Sequence, residues 1–241
     1  MIFDKLYKTE NDVLDLIDKT LENKSGSRLT YFNQHCFNIY ISNKEYRNLL
    51  DNSFEVFFDG VGIYLALKMF GYKNVQRFNA TDLNEKIFNS FAEQHTSLFL
   101  IGGKFNNEFV FGKLFEKKIN VVGYQNGYFE EQHFKLIVDH IKRASPEVIV
   151  IAMGVPKQEI LAHRLTLLIK VDLILCVGGF LEFYFGTKSR VPEVFRNSGL
   201  EWLYRLMKEP ARLWKRYLVG IGVFSYNILK EYLRLKSEKR N

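Results

Sequence analysis

Residues 148–159 read Val-Ile-Val-Ile-Ala-Met-Gly-Val-Pro-Lys-Gln-Glu, and this stretch decides the fold. Successive side chains of a strand point to opposite faces, so the run Val148–Ala152 is apolar on both, as a parallel strand covered by helices on each side must be. Met153-Gly154-Val155-Pro156 then breaks the run, and a proline just ahead of Lys157, Gln158 and Glu159 suits the first turn of a helix. The same pattern repeats outward in both directions. Strands are expected at Leu29–Phe32, Glu55–Phe58, Ser97–Ile101, Asn120–Gly123, Val148–Ala152 and Leu173–Val177. Each precedes a segment with helical spacing, for instance Ile63, Leu67 and Phe70, or Phe134, Ile137, Val138 and Ile141. This alternation predicts an α/β fold with an open, doubly wound, mostly parallel, Rossmann-like sheet, whose ligands bind at the carboxyl ends of the strands.

The 241 residues allow one large domain or two small ones, and a 47% hydrophobic, 15% aromatic composition excludes a disordered or fibrous chain. Thirty-four Lys and Arg against 27 Asp and Glu give a net charge of +7. Residues 200–241 hold ten basic and four acidic residues, or +6, whereas the first 199 hold 24 basic and 23 acidic, or +1. The chain is accordingly divided into an α/β domain over 1–198 and a basic, amphipathic C-terminal helical appendage over 199–241. Cys36 and Cys176 lie in separate apolar stretches without a CxxC, which fits a reducing cytoplasm better than a disulfide framework or a zinc site. Met1–Glu10 lacks the apolar segment of a signal peptide. The longest nearly uncharged apolar stretch, Leu218–Leu229, is about twelve residues where a spanning helix needs about twenty.

Five glycine-bearing loops leave the strand ends: Asp59-Gly60-Val61-Gly62, Gly102-Gly103-Lys104, Gly123 to Gly127, Met153 to Glu159, and Val177-Gly178-Gly179. Glycine lets backbone N–H groups approach a ligand and helix N-termini favour anions, so five such loops on one edge point to a phosphorylated or nucleotide ligand, although any one of them alone reads more readily as a plain strand-to-helix turn. No standard nucleotide motif is complete. Leu65 stands where a dinucleotide fingerprint wants its third glycine, and Gly103-Lys104 lacks the rest of a P-loop. A nucleotide-dependent oxidoreductase therefore remains only as the alternative reading. There is no Asp-x-Asp to hold a metal against a diphosphate, and His133 and His140 lack a third ligand, so no metal and no cofactor are expected.

With these motifs in place, the chain resembles the WecG/TagA/CpsF glycosyltransferases, glycosyltransferase family 26, from about Leu29 to Tyr217. Three segments carry the resemblance. The first is Asp59-Gly60-Val61-Gly62 with Arg77 ahead of Thr81-Asp82-Leu83, and the second is Met153-Gly154-x-Pro156-Lys157-Gln158-Glu159. The third runs from Val177-Gly178-Gly179 through Gly186-x-x-x-Arg190-x-Pro192 and Gly199-Leu200-Glu201-Trp202-Leu203-Tyr204-Arg205-Leu206 to Glu209-Pro210-x-Arg212 and Arg216-Tyr217. The resemblance implies inverting transfer of N-acetylmannosamine or another hexose from a UDP-sugar to a polyprenyl-diphosphate-linked acceptor, in surface polysaccharide or teichoic acid synthesis.

An inverting transfer needs a base on the acceptor hydroxyl. The resemblance gives that role to Asp59, whose other reading is a cap on the helix that starts at Gly60. It places Arg77 near the reacting centre, where charge grows on the leaving phosphate. Donor contacts are expected from Asn33, Gly102, Gly103, Gly127, Gly154, Pro156, Lys157, Gln158, Glu159, Gly178 and Gly179, with Gln158 favoured because an uncharged amide there has no obvious surface role. Four residues depart from the family pattern. Tyr31 stands for a usual Thr, Ala80 for Gly, Asn126 for His and Glu182 for Asp, and Tyr31 bears most on donor or acceptor choice.

Beyond Pro210, the apolar residues Leu213, Trp214, Tyr217, Leu218, Ile221, Phe224 and Ile228 recur at helical spacing beside Arg212, Lys215, Arg216, Lys230 and Arg234. This suits a helix lying on an anionic leaflet, and equally one packed on the body or on a second subunit with its charges solvated. The resemblance favours the membrane, with Arg190, Arg205, Arg212, Trp214 and Arg216 meeting acceptor and surface. The expected location is the cytoplasmic face of the bacterial plasma membrane, peripherally bound. Nucleic acid is not an expected partner, because the α/β body carries no basic face; the oligomeric state, a homo-oligomer included, stays open.

Overall fold

The computed structural model describes residues 2–238; Lys239 and Arg240, counted above with the basic tail, lie outside them. Six strands form one all-parallel sheet: β1 (Ser27–Phe32), β2 (Glu55–Phe58), β3 (Leu98–Gly102), β4 (Val121–Gln125), β5 (Val148–Ala152) and β6 (Leu173–Cys176), in the order β2-β1-β6-β5-β3-β4. All six coincide with the apolar runs read from the sequence, differing only at their ends. Every residue of β3 and β6 is buried, whereas the edge strand β4 is buried only at Gly123 and Tyr124.

Before the sheet come α1 (Ile2–Lys5) and α2 (Glu10–Asn23), the latter started by a capping box between Thr9 and Asp12. The crossovers are α3 (Gln34–Ser42) with α4 (Lys44–Ser53), α5 (Gly60–Met69) with α6 (Ala80–Glu93), α7 (Asn107–Glu116), α8 (Phe134–Ala144) and α9 (Lys157–Thr166). Right-handed connections place α3, α4, α8 and α9 on one face, and α5, α6 and α7 on the other. The packing of α4 on α9 agrees with that division. Between the layers lie Phe32, Phe57, Phe58, Phe88, Phe91 and Phe99, all fully buried. Loops from β3 and β5 leave towards opposite faces, which opens a crevice between neighbouring strands at the carboxyl edge.

After β6 the chain forms α10 (Phe180–Tyr184), α11 (Glu193–Ser198), α12 (Glu201–Lys208) and α13 (Pro210–Trp214), then a π-helical turn, Lys215–Val219, that leads into α14 (Gly220–Glu238). This segment packs on the body. Leu213, Tyr217, Phe224 and Ile228 are buried, the Phe224 ring meets Phe37 edge-on at 5.2 Å, and Asn38 Nδ2 donates to the Gly220 carbonyl at 2.8 Å. A second apolar set, Trp214, Leu218, Tyr226, Leu229 and Leu233, stays exposed on the side away from the body. The tail is therefore packed on the body along one face and leaves a second apolar face uncovered. No described helix is long and apolar enough to cross a membrane.

Two glycines check this packing. Gly102 has φ +142°, and a Cβ there would lie 2.3 Å from the Ala152 carbonyl oxygen, whereas a Cβ on Gly112, within α7, would meet nothing within 4 Å. Gly102→Ala should therefore cost about 1–3 kcal/mol, while Gly112→Ala should stabilise by about 0.5–1 kcal/mol through helix propensity. Thermal unfolding of the two variants should give Tm shifts of opposite sign.

Candidate active site

Asp59 follows β2, and its side chain makes no bond to the start of α5. Its Oδ1 instead accepts from the backbone N–H of Ala80, the first residue of α6, at 2.9 Å, and its Oδ2 accepts from Asn33 Nδ2 at 3.5 Å. The carboxylate therefore meets an amide that α6 cannot itself satisfy, 21 residues along the chain. Asn33 is held in turn as the cap of α3, its Oδ1 accepting from His35 N and Cys36 N. Burial pushes the Asp59 pKa above the ordinary 3.8 and the Glu201 charge adds to this, while the Ala80 amide, Asn33 and Arg205 pull it back. The residue as a whole is half-buried at the carboxyl end of β2.

The motif after β5 is placed differently. Pro156, preceded by a cis peptide, stands just before α9, and Lys157 is exposed at the first helical position. Gln158 and Glu159, expected to touch a donor, are fully buried. Gln158 Oε1 accepts from Gly154 N at 3.2 Å and from Gly178 N at 3.0 Å, and its Nε2 donates to Glu159 Oε1 at 2.8 Å. Thr30 Oγ1 donates to the same Glu159 oxygen at 2.7 Å. These residues tie the ends of β1, β5 and β6 together, and the amides of Gly154 and Gly178 are engaged in doing so. Glu159 Oε2 has no hydrogen-bond partner, and burial raises the pKa of this carboxyl. A Cβ on Gly178, at φ +59°, would lie 2.5 Å from the Tyr31 hydroxyl, so the phenol fills the space beside that turn.

The remaining glycines sit at the far side of the crevice. Gly127 N donates to Gly103 O at 3.0 Å, and the Tyr124 hydroxyl donates to Gly102 O at 3.1 Å, joining the ends of β3 and β4. A cleft of about 540 Å³ opens beyond them between the loop after β4 and α8, lined by Asn126, Tyr128, His133 and His140. Five strand spacings of about 4.8 Å place that edge roughly 24 Å from the β2 edge where Asp59 stands, so the cleft is not the place of Asp59 chemistry. Among the described residues no group of three His, Cys, Asp or Glu comes together.

The arginines stand in three places. Arg190 and Arg205 face a small cavity at the start of α6 with Arg196, which the sequence reading did not single out. Arg77 approaches the same region, its guanidinium donating to the Arg196 carbonyl at 2.7 Å. Arg216 comes from the tail to the end of β1, where burial and this cation together push the His35 pKa down to about 4. Arg212 pairs with Glu209 at 2.5 Å on the surface near exposed Trp214. Glu201 and Asn79 were also missed as site residues; Glu201 stood in the Gly199-Leu200-Glu201-Trp202 block, but nothing in its spacing connects it to Asn79.

The model of the Glycosyl transferase WecG/TagA/CpsF family matches residues 3–238, nearly the whole chain, and the chain belongs to that family. It is a glycosyltransferase of cell-surface polysaccharide synthesis, which sets aside the oxidoreductase reading of the glycine loops. A nucleotide-sugar donor and a lipid-linked acceptor follow at family level.

The buried carboxyl allows a check on the strand-end knot. With its folded pKa raised above the ordinary 4.5, Glu159 contributes stability that is present below pH 4.5 and lost as pH rises through the folded value. Glu159→Gln removes that dependence, so urea unfolding at pH 5 and pH 7.5 should show the variant gaining on the wild type at the higher pH.

Proposed function

We propose that this protein transfers a sugar from a UDP-sugar to the hydroxyl of a polyprenyl-diphosphate-linked sugar, with inversion, in one displacement and without a metal ion. The observation that carries this reading is the Asp59 carboxylate, which stands at the carboxyl end of β2, is not used to cap α5 and is held instead by the Ala80 N–H and Asn33. In the transfer, the acceptor oxygen forms a bond to the anomeric carbon from the face opposite UDP and its proton passes to Asp59. The bond from that carbon to the UDP phosphate oxygen breaks, and its electron pair leaves with the phosphate. Burial that raises the pKa of Asp59 makes it a stronger base, at the cost of being protonated at higher pH than an exposed aspartate. Donor phosphates are drawn to the Asp59 side of the carboxyl edge by Arg77 and Arg216, and the family's lipid-linked acceptor enters by the side where Arg190, Arg205 and Arg212 stand.

A screen of UDP-hexoses and UDP-N-acetylhexosamines with a synthetic prenyl-diphosphate-linked sugar identifies the donor. With that donor, Asp59→Asn should lower kcat by about 10²–10⁴, and EDTA should leave turnover unchanged. Normal transfer by Asp59→Asn refutes the base, and Mg²⁺-dependent rescue after EDTA refutes the metal-free mechanism.

The exposed apolar set on the tail, flanked by Lys215, Lys230 and Arg234, supports docking on an anionic bilayer with the packed face left in the core. Leu218→Asp combined with Leu229→Asp spares that packed face. In a vesicle sedimentation assay it should weaken binding to phosphatidylglycerol-containing vesicles by about tenfold or more; unchanged binding removes the membrane role.

A further inference from the structure

Glu201 takes no part in the transfer proposed above, yet it is built into the surroundings of Asp59. Its Oε2 accepts from Asn79 Nδ2 at 2.7 Å. Asn79 caps α6, its Oδ1 accepting from Thr81 N at 2.7 Å, and the adjacent amide, Ala80 N, is the one that donates to Asp59 at 2.9 Å. Two carboxylates therefore share one helix start, Asp59 through the first backbone amide and Glu201 through the capping side chain. On its other oxygen Glu201 takes the guanidinium of Arg205. That guanidinium lies 5.0 Å from the centroid of the Phe183 ring, and its Nε is enclosed without a hydrogen bond.

The other charges at this point are already balanced. Arg190 and Arg196 line the same small cavity, but Asp82 pairs with both and Glu85 pairs with Arg190 at 2.9 Å. From the β1 side Asp59 faces Asn33 and the Tyr31 phenol, both neutral, since burial holds the phenol well above its ordinary pKa of 10.0. Arg77 is turned to the Arg196 carbonyl. Arg216, from the turn before α14, stands by the Tyr31 phenol and His35 at the end of β1; the charges that act on the Asp59 proton are the Glu201–Arg205 pair, its members in opposite senses.

We infer that Glu201 is a positioning residue for Asp59: through Asn79 it fixes the first turn of α6, so that the Ala80 N–H is aimed at the Asp59 carboxylate, and by pairing with Arg205 it holds that cation off the same carboxylate. The inference rests on Asp59 being the base. It makes α12, in the segment after Gly199, part of the apparatus that readies the base.

The test is kcat/KM against pH for the wild type, Glu201→Gln, Arg205→Gln and Asp59→Asn, with the UDP-sugar found in the screen and a prenyl-diphosphate-linked sugar. Glu201→Gln keeps an acceptor for Asn79 but removes the charge and frees Arg205. Its acid limb should move to lower pH, so that well below the limb it keeps about threefold or more of the wild-type fraction of plateau activity. Arg205→Gln should move the limb the other way. A merely structural role lowers the plateau and leaves the limbs in place. Unmoved limbs in both variants, with Asp59→Asn inactive, overturn the inference and leave the base intact; an active Asp59→Asn overturns the base itself. Should circular dichroism show Glu201→Gln unfolded, Glu201→Asp, which keeps the charge, should hold the wild-type limb at a lower plateau, and an unmoved limb in Arg205→Gln then overturns the inference.

Discussion

One side-chain carbonyl, Gln158 Oε1, accepts from the backbone amides of Gly154 and Gly178 and so joins the ends of β5 and β6. The next residue extends the tie to β1, because Glu159 accepts from Thr30 at 2.7 Å. Parallel strands end with amides and carbonyls that no neighbour satisfies, and burying those groups unpaired costs about 1–3 kcal/mol each. With this knot made, three loops are fixed relative to one another, and the crevice beside them has a defined floor. A carboxyl oxygen without a partner, Glu159 Oε2, is left within it, which is why the neutral acid is favoured there.

Asp59 stands at the end of β2, beside β1, and is held by a different device. Its partners are a backbone amide of α6 and the capping asparagine of α3, so its position depends on where two helices begin. Ala80 contributes through its N–H, while its side chain lies in the core. The C-terminal segment closes this side, Glu201 and Arg205 from α12 and Arg216 from the turn before α14. Phe224 and Ile228 of α14 join the main core.

The six strands were legible because a buried parallel strand must be apolar on both faces, and Val148–Ala152 or Leu173–Cys176 have no other economical reading. Asp59 was legible as a residue at a strand end, but the choice between cap and base was not: the amide that binds its carboxylate lies 21 residues away, and no local spacing encodes it. Gln158 shows the opposite limit. An amide in a loop motif reads as a ligand contact, whereas the need that it meets belongs to two backbone amides brought together only by the sheet order. The tail likewise mixes two apolar stripes on one helix, and only packing against Phe37 separates the buried one from the exposed one.

The central claim is that one carboxylate, Asp59, serves one displacement. It is tested most directly by the anomeric configuration of the product made from an α-linked UDP-sugar, read from the one-bond carbon–proton coupling at the new anomeric centre by NMR. The account predicts a β-linked product from the first turnover onward; an α-linked product would mean two displacements or front-face attack and would contradict it.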